Sequence, residues 1–123
     1  MAPMIDIIDD DDAVRDSTHR LLESYGYDVR EHPSAEAFLN HSGGNSACLL
    51  VDQHMPGMTG LDLLEHLHAR GDRTPALMVT GRSDPAMEPR VARVGAKLLH
   101  KPLDGDELVR WIEHVRHARR AQP

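Results

Sequence analysis

Aromatic residues are scarce in this chain: one Phe, one Trp and two Tyr make up 3% of its 123 residues. Proteins that bind single-stranded nucleic acid or RNA stack bases on aromatic platforms in a positive groove, so this scarcity argues against that class. The interior must instead be filled by Leu, Val, Ile, Ala and Met. Positive charge is outnumbered as well, with 14 Lys and Arg against 20 Asp and Glu and a formal net charge of -6. Direct contact with a phosphate backbone is therefore disfavoured. The sole cysteine, Cys48, has no partner for an internal disulfide, and its place in an apolar run reads as a small core residue in a reducing compartment. No apolar stretch approaches the roughly 18 residues of a membrane span, and the N-terminus lacks the basic and apolar regions of a signal peptide. The expectation is a cytoplasmic protein that engages neither membrane nor nucleic acid directly.

What the chain does have is acid at particular places. Asp9, Asp10, Asp11 and Asp12 follow the apolar run Met4-Ile5-Asp6-Ile7-Ile8, and Asp52 ends a second run, Cys48-Leu49-Leu50-Val51. Carboxylates held close together raise one another's pKa unless something positive neutralises them. Oxygen-rich clusters of this kind suit Mg²⁺ or Ca²⁺.

Short apolar runs alternate with helical patterns along the chain. Residues 4–8 read as a strand and about 11–25 as a helix, with Val14, Thr18, Leu21, Leu22 and Tyr25 at helical spacing and Gly26 as its stop. A second strand at 27–31 precedes a helix from about Ser34 to Asn40, with Ser34 as N-cap and Gly43-Gly44 as breaker. The third strand, 47–51, leads through Pro56 and Gly57 to Thr59, whose spacing to Asp62 is that of a capping box. Leu61, Leu64 and Leu67 line the helix that follows, to about Arg70. Residues 75–79 give strand four. Pro85 and Pro89 fall in the segment 83–94, so its helix starts late and stays short. A fifth strand at 97–99 precedes a last helix, opened by Asp104 three residues before Glu107 and lined by Leu108, Trp111, Ile112 and Val115.

Five such strand-helix units make one domain over residues 1–123, an α/β fold with a doubly wound, flavodoxin-like parallel sheet of order 2-1-3-4-5 and five helices. Ligands in such folds collect at the carboxyl ends of the strands, at the switch point between strands one and three. Asp9 and Asp10 leave strand one there and Asp52 leaves strand three, while strands four and five end at Thr80 and Lys101. Together these residues suit a phosphoryl group. A carboxylate can act as nucleophile and form an aspartyl phosphate, a divalent cation can bridge flanking acids to phosphoryl oxygens, and an ammonium and a hydroxyl can take the remaining ones.

At this point the chain resembles the receiver domain of bacterial two-component response regulators. The resemblance is carried by Ile7-Ile8-Asp9-Asp10-Asp11, by the run from Asp52-Gln53-His54-Met55-Pro56 through Gly57-Met58-Thr59-Gly60, by Val79-Thr80-Gly81 and by Lys101-Pro102. It implies that Asp52 is the phosphoacceptor, served by a sensor histidine kinase or a phosphotransfer protein. It implies Mg²⁺ (or Mn²⁺) held by Asp9, Asp10, Asp52 and the backbone carbonyl of His54, with Asp10 a direct ligand and Asp9 acting mainly through water. Thr80 and Lys101 would bind the phosphoryl group, and Pro102 matches the family's cis-proline. His54 and Arg82 stand where family members tune the lifetime of the aspartyl phosphate. The implied role is a signalling switch with slow self-dephosphorylation, not a dedicated enzyme. Its output domain or homodimer partner would meet the face of the fourth helix, fifth strand and fifth helix. Two departures concern that switch: Leu98 replaces the usual aromatic three residues before the lysine, and the stretch from Gly95 to Lys101 is one residue shorter than the common pattern. Thr80 and the segment 85–89 are accordingly expected to carry more of the response.

Other readings stand beside this one. Asp11 and Asp12 are most simply first-turn acids facing a helix dipole. A pseudo-receiver that only docks keeps the same fold without phosphotransfer. An aspartate-nucleophile phosphatase of the haloacid dehalogenase type needs a second Asp two residues after the first, and position 54 is His. A flavodoxin-like electron carrier needs a phosphate-cradling loop after strand one, where this chain has acids. Among nine histidines, His66 and His68 point to different faces of a helix and His114 and His117 lack a third ligand, which favours solvated helix faces over a transition-metal site. Arg110, Arg116, Arg119 and Arg120 make the last helix basic, which suits its dipole or an interaction face that includes Trp111. Both a stand-alone receiver and a piece of a longer regulator are consistent with the sequence.

Overall fold

The structure, a computed structural model, describes residues 2–41, 43–82 and 84–120, with side chains to residue 118. Ser83, at the expected start of the fourth helix, and the side chains of Arg119 and Arg120 lie outside the described residues. Strands β1 (Met4–Ile8), β2 (Asp28–His32), β3 (Cys48–Asp52), β4 (Ala76–Thr80) and β5 (Lys97–His100) alternate with helices α1 (Asp12–Ser24), α2 (Ala35–Asn40), α3 (Gly60–Ala69), α4 (Met87–Arg93) and α5 (Gly105–Arg120). The strands form one parallel sheet in the order β2-β1-β3-β4-β5, the order expected from the sequence.

The local signals act as their chemistry dictates. Asp11 caps α1 by accepting from the N–H groups of Ala13 and Val14 at 3.0 and 3.1 Å, and Gly26 takes a left-handed φ of 92° where the helix gives way to β2. Ser34 caps α2 by accepting from Ala37 N at 3.0 Å. Thr59 and Asp62 form the capping box of α3. Pro89 sits in the first turn of the seven-residue α4, whose N-terminus has no side-chain cap, because proline's missing N–H is tolerated there and nowhere further in. β1 lies where its pattern places it, β2, β3 and β4 run one residue later than theirs, and β5 extends one residue further.

Alternation along the strands divides the core into two layers. On one face Ile8, Leu49, Val51 and Met78 pack under Leu61, Leu63, Leu64 and Val91 of α3 and α4. On the other, Ile5, Ile7, Leu50, Leu77 and Leu99 pack under Leu22, Leu108 and Ile112 of α1 and α5. Leu98 packs partly buried against the α3/α4 layer. The apolar face expected for α1 is narrower than its spacing implied. Val14 and Tyr25 are exposed, and the Tyr25 hydroxyl instead hydrogen-bonds Asp106 of α5. Tyr27 likewise donates to Glu113, so the turn after α1 is tied to α5 at two points.

Candidate functional site

Four strand ends converge where the switch point was expected. Side-chain oxygens of Asp9, Asp10 and Asp52 lie within 4.8 Å of one another. Asp9 and Asp52 are buried and Asp10 is exposed. Desolvation is the main cause that raises the Asp9 pKa, and the charges of Asp52 and Asp10 add to it, against the opposing pull of the Asp11 N–H and Lys101. Lys101, directly after β5, brings its Nζ to 3.1 Å from Asp52 Oδ1. Burial opposes the charge on Lys101, but Asp52, Asp9 and Asp11 outweigh it and hold the ammonium above its ordinary pKa. This contact is an ion pair without the alignment of a hydrogen bond: among the described residues, Asp52 Oδ1 is the buried side-chain atom left with no hydrogen-bond partner. An anionic, all-oxygen donor set with one unsatisfied buried oxygen fits a hard divalent cation such as Mg²⁺.

The acid quartet divides. Asp9 accepts from Asp11 N at 2.9 Å while its own carbonyl accepts from Arg15 Nη1 at 2.7 Å. Asp11 serves as the cap of α1 rather than as a residue of its first turn, and Asp12 pairs with Arg15 at 2.7 Å. Neither Asp11 nor Asp12 joins the cluster.

Asp52 is held from below by the start of α3. A Cβ on Gly60 would stand 2.6 Å from the Asp52 carbonyl oxygen, so only glycine allows this approach. Gly60 N donates to Gln53 O at 3.2 Å and Leu61 N to Gln53 Oε1 at 2.7 Å. The Gly60 and Leu61 N–H groups of α3 thus close onto the residue following Asp52.

Thr80, fully buried at the end of β4, has its hydroxyl 3.0 Å from His54 Nε2 and 3.0 Å from the Arg82 carbonyl, and accepts from Arg82 N at 3.2 Å. His54 therefore reaches the site through its ring, while its expected metal contact is a backbone carbonyl. The Lys101–Pro102 peptide is cis. The remaining histidines do not assemble: among the described residues no metal-holding group contains one, His114 stacks edge-on with Trp111, and His117 lies 3.5 Å from Glu113.

Sequence reading missed a third buried acid. Asp6, within the first apolar run, is fully buried. It receives Arg30 through two bonds of 2.9 and 3.0 Å and His32 Nε2 at 2.8 Å. Burial pushes its carboxyl up, but hydrogen bonds from His32, Arg30 and Ser46 outweigh that and hold it far below the usual carboxylate range. The signal was available: Asp6 shares a face with core residue Ile8, and Arg30 and His32 recur at strand period opposite them.

A family model described as the response regulator receiver domain matches residues 5–113. The transcriptional regulatory protein FixJ of Azorhizobium caulinodans is 40% identical over 107 residues, covering 85% of this chain and 51% of that protein. The chain thus spans about half the length of the curated relatives it matches. A CheY-like receiver domain protein from Methanospirillum hungatei superposes with a TM-score of 0.90 at 29% identity, covering 98% of both chains. A crystal structure titled FixJ-N superposes with a TM-score of 0.85 at 31% identity, covering 95% of each.

Proposed function

The chain belongs to the response regulator receiver family, and from that membership we propose that Asp52 accepts a phosphoryl group from a sensor histidine kinase or a phosphotransfer protein. A carboxylate oxygen of Asp52 forms the new P–O bond as the donor's P–N bond breaks. Lys101 stays with the charge through the transfer, paired with Asp52 at rest and with a phosphoryl oxygen afterwards. The Thr80 hydroxyl takes another oxygen. Asp9, Asp10, Asp52 and the His54 carbonyl would hold Mg²⁺ (or Mn²⁺), which would offset negative charge on the phosphoryl oxygens. The observation that carries this reading is the buried Asp52 Oδ1, without a hydrogen-bond partner, 3.1 Å from Lys101 and clustered with two further carboxylates.

Residues 1–123 form the receiver as one domain. Its role is to switch a signal, with slow hydrolysis of its own phosphoryl group as the reset. The output we propose is control of transcription, supported by the name of the FixJ relative. The face of α4, β5 and α5 would meet an output domain or a second copy. No helix among the described residues is long and apolar enough to cross a membrane, which is consistent with work in the cytoplasm. The test is a small phosphodonor with Mg²⁺, read by intact mass, on wild type and Asp52→Asn. A single adduct on wild type and none on the variant is expected. No adduct on wild type overturns the reading, and an undiminished adduct on the variant moves the nucleophile elsewhere.

A further inference from the structure

The Thr80 hydroxyl is fully engaged before any phosphoryl group arrives. A hydroxyl has one proton to give and two lone pairs to accept with. Given to the Arg82 carbonyl at 3.0 Å, that proton leaves the oxygen to accept from Arg82 N at 3.2 Å and from His54 Nε2–H at 3.0 Å. Every bonding position is then filled, on a side chain with no exposed surface. All three bonds run to the loops after β3 and β4, and none, among the described residues, to Asp52.

We propose that His54 is a positioning residue that latches Thr80 in its resting orientation, and that phosphorylation of Asp52 releases this latch by drawing the Thr80 hydroxyl away from His54 and Arg82. The proposal rests on the phosphoacceptor reading of Asp52. Thr80 cannot give its single proton to a phosphoryl oxygen while giving it to the Arg82 carbonyl, so that bond and phosphoryl binding exclude each other. The His54 bond is lost with it only because the hydroxyl oxygen itself moves toward Asp52, which is the movement proposed. Release frees an exposed imidazole on the loop after β3 and a carbonyl on the loop leading to α4. Both loops then learn of the event at once. The aliphatic Leu98, packed into the α3/α4 layer, has no polar atom to take part in such an exchange, so the polar group that answers Thr80 here is His54. Because the latch opposes the liganded state, removing it favours that state, by about three- to tenfold for one ordinary hydrogen bond.

Beryllofluoride with Mg²⁺, which mimics the phosphoryl group and is not hydrolysed, tests this apart from any effect of His54 on water access. Affinity and the NMR signals of the Thr80 methyl and the His54 ring would be followed in wild type, His54→Ala and His54→Gln. Three results are expected. Beryllofluoride shifts the Thr80 and His54 signals together in wild type. His54→Ala moves the resting Thr80 methyl toward its liganded position and tightens beryllofluoride about three- to tenfold. His54→Gln, whose amide N–H reaches as far as Nε2, returns both toward wild type. An adduct that leaves the His54 ring signals unmoved overturns the latch alone, as does an unchanged resting Thr80 signal and affinity in His54→Ala. Absence of any adduct on wild type overturns the phosphoacceptor reading, and the latch with it.

Discussion

Strand β1 and the residue that follows it carry two buried carboxylates three residues apart, Asp6 and Asp9, and they have opposite fates. Asp6 is a single anion met by a bidentate guanidinium and an imidazole, and its proton is bound far more weakly than usual. Asp9 shares its space with Asp10 and Asp52 while one ammonium approaches, at Asp52, and its proton is bound more tightly than usual. Neutralisation, rather than burial, separates them. Where cations match anions the acid is part of the scaffold; where they fall short the fold keeps a standing demand for positive charge, and that shortfall is what a divalent ion and then a phosphoryl group act on.

The contrast can be broken at either end. The largest effect is expected from Asp6→Ala, which strands the partly buried Arg30: a loss of about 3 kcal/mol in urea unfolding. The sign of its pH dependence follows from the lowered pKa. Stability from Asp6 is present above its unfolded value of about 4 and is lost as pH falls toward the folded one, so the gap between wild type and Asp6→Ala narrows below about pH 4. Next comes Gly60→Ala, where the added methyl meets the Asp52 carbonyl. It should destabilise by about 2 kcal/mol and weaken Mg²⁺ binding, measured by calorimetry, because the Asp52 backbone must move. Mg²⁺ at roughly ten times its dissociation constant should stabilise wild type by about 1.4 kcal/mol, leaving Asp6→Ala with a similar increment on its lower base. The smallest effect sharpens the comparison most. Asp9→Asn keeps an oxygen to accept from Asp11 N yet removes a crowded charge, so the metal-free protein should gain up to about 1 kcal/mol while the Mg²⁺ increment shrinks.

Much of this was legible in the sequence because the carriers are local. Strand ends marked by Asp9, Asp52 and Lys101, the Ser34 and Thr59 caps and the two prolines near α4 each declare themselves within a few residues, and sheet order then brings the acids together. What escaped depends on pairing across strands or loops. Asp6 looked like an interruption of an apolar run until β2 placed Arg30 and His32 beside it. Val14 and Tyr25 fit a helical stripe, yet the layer they were assigned to closes at Leu22 and α5. The His54–Thr80 bond spans 26 residues, and no spacing rule foretells it.

Trp111 gives the molecule an optical property that follows from where it sits. It is the sole tryptophan, with the Lys97 ammonium 4.2 Å from its ring centroid and the His114 ring against its edge, on α5 and β5 rather than among the acids. Tryptophan emission therefore reports from the β5 and α5 side of the molecule rather than from the acid cluster. Any change in emission when a phosphodonor is added would record an event that has already travelled through the sheet.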